Sequence, residues 1–233
     1  MAPTIGRRAV SAMVLFFCGV VTAPALAGSS YGLVSTFELP SGIDTFSIAP
    51  DGHILALSGH SILRQSGIGS GSFTTVGSIA PGSLNSFGAS FISVSPNGQT
   101  IAIGDNNLGA EASVYLLPAA SLSPDSVSET TRVFSPNFSA AWSGNSTLFV
   151  TGGEFGSPSV VNAIDALAGT ASVVIENIDG GSSGIAVSGG LLFTGNGFAY
   201  GGGSNTGDVF AFDLNAFGGG PVDFLTGGTH VAN

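Results

Sequence analysis

Beyond its first thirty residues the chain alternates short runs of branched apolar residues with clusters of glycine, serine, asparagine and aspartate. Within each run the apolar positions recur every second residue, the period of a half-buried strand and not of a helix. The segments "FSIAPDGHILALSG" (Phe46–Gly59) and "ISVSPNGQTIAIGD" (Ile92–Asp105) are near-copies whose Pro-Asp-Gly and Pro-Asn-Gly turns lie 46 residues apart. "SAAWSGNSTLFVTGG" (Ser139–Gly153) and "SGIAVSGGLLFTGNG" (Ser183–Gly197) continue the series. In the first two copies, Asp-Gly and Asn-Gly supply the positive φ that a tight hairpin needs. Each copy therefore predicts a first strand, a turn and a second strand ("HILAL", "TIAIG", "TLFVT", "LLFTG"). A polar loop and a third strand follow ("SILRQ", "SVYLLP", "SVVNAID", "DVFAFDL"), then a fourth ("SFTTVGSI", "TTRVFS", "ASVVIENI", "VDFLTGG").

Four antiparallel strands in roughly 45 residues make one blade of a β-propeller. A lone blade cannot bury both faces of its sheet, so blades must stack side by side. The reading is all-β, with about four blades at residues 43–88, 89–135, 136–181 and 182–227. Residues 30–42 form a single closing strand in this reading, although no three-stranded blade awaits it. We expect a partial or open propeller, either a piece of a longer protein or an array that needs remaining blades or a second chain to close the ring.

The stretch Phe149–Asn196 resembles the YVTN-type repeat, in which a Tyr-Val-Thr-Asn-like strand leads to a Val-x-x-Ile-Asp strand and a Gly-x-Ala-Val-Ser-x-x-Gly hairpin. Phe149 stands for the Tyr of that pattern and Gly152 for its Asn. The "VSPNG" hairpin is similar to those of TolB-like and lactonase-like propellers. The resemblance spans most of Phe46–Leu214 and implies the propeller fold. Lactonase-like propellers use channel carboxylates, histidine and arginine, and no motif here matches that machinery residue by residue. The chain is also similar to exported bacterial proteins without an assigned role.

The N-terminus changes the picture of compartment. Arg7 and Arg8 precede the uncharged, mostly apolar stretch Ala9–Val21, and Ala25-Leu26-Ala27 is an A-x-A site. That order is a secretory signal peptide, residues 1–27, leaving residues 28–233 as the mature propeller domain. The stretch is shorter than the roughly 20 residues of a membrane span. We expect export to a periplasmic, cell-surface or extracellular location, with no membrane span after cleavage. The one cysteine, Cys18, leaves with the signal, so disulfides and cysteine metal sites are excluded from the mature chain. There is no lysine, and the mature chain sets Arg64 and Arg132 against 14 acidic residues. Nucleic acid is excluded as a partner, because binding it relies on basic side chains.

Candidate chemistry is thin. The loops between second and third strands gather Asp105, Asn106, Asn107 and Glu111 in blade two, Glu154 in blade three, and Asn196, Asn205 and Asp208 in blade four. Equivalent loops lie side by side on one propeller face, which makes Asp105, Asn106, Asn107, Glu154, Asn196, Asn205 and Asp208 the candidate binding residues. Their oxygens suit Ca²⁺, but their order does not match a calcium loop; asparagine and aspartate are also plain turn formers. Asp51, His53 and His60 could join at a metal, or be polar turn residues; His230 is expected in an unstructured tail. Trp142, Phe155, Phe198 and Tyr200 could stack a sugar or fill space between blades. Asn137 and Asn145 open two glycosylation sequons, relevant in a eukaryotic host. No G-x-S-x-G elbow precedes a helix. The function expected is a non-enzymatic binding or surface module with a protein or glycan partner and no cofactor; the alternative is a lactonase-like hydrolase.

Overall fold

The structure, a computed structural model, describes residues 38–85, 87–107, 111–153, 158–179, 184–196 and 207–232. The repeat folds as read. Blade one is β1 (Thr45–Ile48), β2 (Ile54–Ser58), β3 (Ser61–Gln65) and β4 (Phe73–Ser78), paired in that order. Blade two is β5 (Phe91–Val94), β6 (Thr100–Gly104), β7 (Ser113–Pro118) and β8 (Thr131–Phe134). Blade three is β9 (Ser139–Ser143), β10 (Thr147–Gly152), β11 (Ser159–Asp165) and β12 (Thr170–Ile178). Blade four begins with β13 (Ile185–Ser188), β14 (Leu191–Gly195) and β15 (Val209–Asp213). All neighbours within a blade are antiparallel. The glycine of each first turn has positive φ: Gly52 at 83°, Gly98 at 72°, Gly144 at 67° and Gly189 at 60°.

The core consists of three seams between blades. Leu55, Leu57 and Ile62 of blade one meet Ile101, Ile103 and Leu117 of blade two. Ala102, Val114 and Leu116 of blade two meet Leu148, Val150 and Ile164 of blade three. Phe149, Val161 and Val174 of blade three meet Leu192, Phe210 and Phe212 of blade four. Neighbours along one strand thus serve opposite seams: Ile101 and Ile103 point one way, Ala102 the other. Period-two alternation, with both phases apolar, is what a sheet buried on both faces requires. Close approach also restricts the seams: a methyl group on Gly152 would run into the main chain of Pro136 and Asn137.

Blade four departs from expectation at its outer edge. The segment Val222–Gly228 was expected as its fourth strand, but only Val222–Asp223 is extended; this strand, β16, lies parallel to β12 of blade three. The next residues, Phe224–Gly227, form one helical turn, α1. The cause is local. Asp223 caps that turn by accepting hydrogen bonds from the main-chain N–H groups of Leu225 and Thr226. The turn drops Phe224 beneath Phe210 and Phe212, with ring centroids 4.7 and 6.0 Å away. The outer strand of blade four is instead β17 (Thr229–Ala232), paired with β15. His230 therefore belongs to a strand and not to an unstructured tail. Of the proposed closing strand, residues 30–37 lie outside the described residues, and 38–42 form coil and turn.

Leu148 is fully buried in the middle seam. Leu148→Ala is expected to cost about 2–5 kcal/mol, read as a lower urea midpoint. An unchanged midpoint would show that the seam does not carry stability.

Candidate functional site

The four inner strands carry threonine, serine, alanine, valine, isoleucine, phenylalanine and one tryptophan. None of the four bears an ionisable side chain. Trp142 of β9 packs partly against the middle seam, so it fills space between blades.

The loop face of blade two is better defined. Asn137, just before β9, is 0% exposed, and its side chain reaches across the seam. Its amide nitrogen donates to Asp105 Oδ1 at 3.0 Å and to the carbonyls of Ser113 at 3.1 Å and Ser135 at 3.0 Å. Its oxygen accepts from the Ser90 hydroxyl and, at 3.2 Å, from the Asn106 main-chain N–H. Asp105 is 3% exposed and also accepts from the Asn107 N–H at 3.0 Å. Asp105, expected as a face residue, is thus an internal anchor, while Asn106 and Asn107 remain half-buried at the surface. Asn106 sits at φ 53°, a left-handed conformation that asparagine tolerates. The same burial overturns Asn137 as a glycan acceptor, since its nitrogen is enclosed and engaged. Asn145 stands exposed in the β9–β10 turn.

The remaining face residues divide. Glu154, Asn205, Phe155, Phe198 and Tyr200 lie outside the described residues. Asn196 is buried, and its main-chain N–H donates to the Asp208 carbonyl at 3.2 Å. Asp208 faces His230 Nε2 at 3.0 Å, which ties β17 to the start of β15. Arg132 donates to the Ser113 hydroxyl at 2.8 Å, lies 3.6 Å from the Glu111 carboxylate and stacks over Phe134 at 4.4 Å.

The histidine set divides too. Asp51 bonds the Arg64 guanidinium and lies 3.3 Å from His53 Nδ1. His60 lies past the far end of β2, about 17 Å along the strand, so Asp51, His53 and His60 do not converge. Among the described residues no group of three or more histidine, aspartate and glutamate side chains could hold a metal ion. Sequence reasoning passed over Asn85 and Phe87, and took Asn137 only as a glycosylation sequon rather than as an anchor. Asn137 sits in no repeat motif, and its partners come from another blade.

Three carboxyls have lowered pKa values. For Asp51, partial burial pushes the value up, but the His53 main-chain N–H and the Arg64 guanidinium outweigh it. The N–H groups of Ala168 and Leu167 hold Asp165 low. The Asn177 amide and the N–H and hydroxyl of Thr226 hold Asp223 low. A carboxyl with a depressed folded pKa contributes stability above its unfolded value, near 3.9 for aspartate. That contribution is lost as pH falls through the folded value. Asp165→Asn keeps the acceptor oxygen but not the titration. It is expected to flatten the fall in urea midpoint below pH about 4; an unaltered slope would refute the assignment.

No family model and no curated protein sequence matches the chain. Among solved structures it is similar to a TolB from Agrobacterium tumefaciens, at 18% identity and TM-score 0.48, covering 74% of this chain and 58% of that one. It is similar to TolB from Acinetobacter baumannii, at 14% identity and TM-score 0.48, covering 82% and 45%. A third similar structure is designated a gluconolactonase, at 18% identity and TM-score 0.43, covering 64% and 55%. The chain spans about half the length of the solved structures it matches. With its antiparallel blades stacked by seams, the chain is an all-β array of propeller blades.

Proposed function

We propose that the chain is an exported, non-enzymatic propeller module that binds a protein or glycan partner on its loop face. One observation supports this above others. The inner strands offer only hydroxyl and apolar side chains, whereas hydrolysis needs an acid, a base or an activated nucleophile within reach of one substrate. The two mature-chain arginines are engaged at blade edges, Arg64 with Asp51 and Arg132 with Glu111 and Phe134. The acidic balance disfavours nucleic acid and anionic lipid surfaces. No helix among the described residues is long and apolar enough to cross a membrane.

The purified chain incubated with gluconolactone, with and without Ca²⁺, is expected to hydrolyse it no faster than buffer. Turnover above buffer that co-purifies with the chain and is lost on Asp105→Asn would overturn the non-enzymatic reading. Because Asp105 already serves Asn137 and Asn107, added Ca²⁺ is expected to leave the melting temperature where it was. A rise reversed by chelator would establish a cation site.

A further inference from the structure

The connection from β4 to β5 carries an exposed aromatic side chain whose main chain is engaged by Asn85. Phe87 is 82% exposed. It lies in the connection from β4 to β5, in a turn closed by an isolated antiparallel bridge between Asn85 and Gly88. The Asn85 side-chain oxygen accepts from the Phe87 main-chain N–H at 2.8 Å. Gly88 has φ 82°, and a methyl there would meet the Asp44 carboxylate at 3.1 Å. The same Asn85 side chain donates through its nitrogen to the Asn106 carbonyl at 2.6 Å. Asn106 is pinned at its N–H by Asn137 as well. Its own side-chain amide is half-buried and has no hydrogen-bond partner among the described residues. One asparagine thus joins an exposed aromatic ring to an unengaged amide and fixes the backbone of both.

We propose that Phe87 and Asn106 form a subsite for a neutral sugar ring. The C–H face of a pyranose lies on the Phe87 ring, and a hydroxyl of the same ring bonds the Asn106 amide. This rests on the loop-face binding reading and names its ligand class. The chemistry favours a glycan over a protein hot spot: the groups bonded to or lining the Phe87 turn are Asn85, Asn106 and Asp44, polar groups rather than further apolar anchors. The acidic balance disfavours uronic or phosphorylated sugars.

The test titrates the mature chain with cellopentaose, chitopentaose and an alginate pentamer by calorimetry. Binding of one neutral pentasaccharide and not of alginate is expected. Phe87→Ala should weaken it about five- to tenfold, the scale of one aromatic contact, with the melting temperature unchanged because the ring is exposed. Asn106→Gly keeps the left-handed backbone and removes the amide, and should weaken binding likewise. Failure of every sugar to bind, or equal binding by Phe87→Ala, overturns the subsite. If sugar binding survives Phe87→Ala and falls with Asp208→Ala, the loop-face reading stands and this subsite does not. Lactone turnover bears on the non-enzymatic reading alone.

Discussion

The two middle sheets, blades two and three, are apolar on both faces, and neither face can be left in water at acceptable cost. Burying one isoleucine or leucine side chain is worth about 1.5–3 kcal/mol, and each seam gathers several. Ile101, Ile103 and Leu117 on one face of blade two, and Ala102, Val114 and Leu116 on the other, make that blade useless alone and stable between neighbours. Everything else follows from side-by-side stacking, which sets the first strands of neighbouring blades against one another.

The seams are closed at the loop end by polar groups. Apolar packing is non-directional and sets no exact register between blades. Asn137 supplies direction. Enclosed at the junction of blades two and three, it satisfies Asp105, Ser90, Ser113, Ser135 and the Asn106 main chain together. A buried amide with that many partners is costly to displace. It also ties down Asp105 and the Asn106 main chain after β6. Loop shape and core packing are therefore one system at this rim.

The described charges lie mostly in turns and at blade edges. Carboxylates are plentiful but serve as turn caps and edge partners, as at Asp51, Asp165, Asp213 and Asp223. The few cationic groups are matched to them near the blade edges. Among the described residues, the rim of blade two presents the Asn106 and Asn107 amides and the exposed Phe87 ring.

Blade order and hairpin position were legible in the residues alone, because alternation with Asp-Gly and Asn-Gly turns is a local code with a local cause. The acidic balance was legible for the same reason, as a property of composition. The edge of blade four was not. "VDFLTGG" has strand-like apolar positions, but Asp223 caps a turn, and Phe224 finds more burial beneath Phe210 and Phe212 than an edge strand offers. Nor was the inward turn of Asp105, since its partner Asn137 lies 32 residues away in another blade. The pairing of Asn85 with Asn106 was hidden for the same reason. Local sequence determines what a segment can form; only packing between blades decides which polar side chains are enclosed and which ring is left in water.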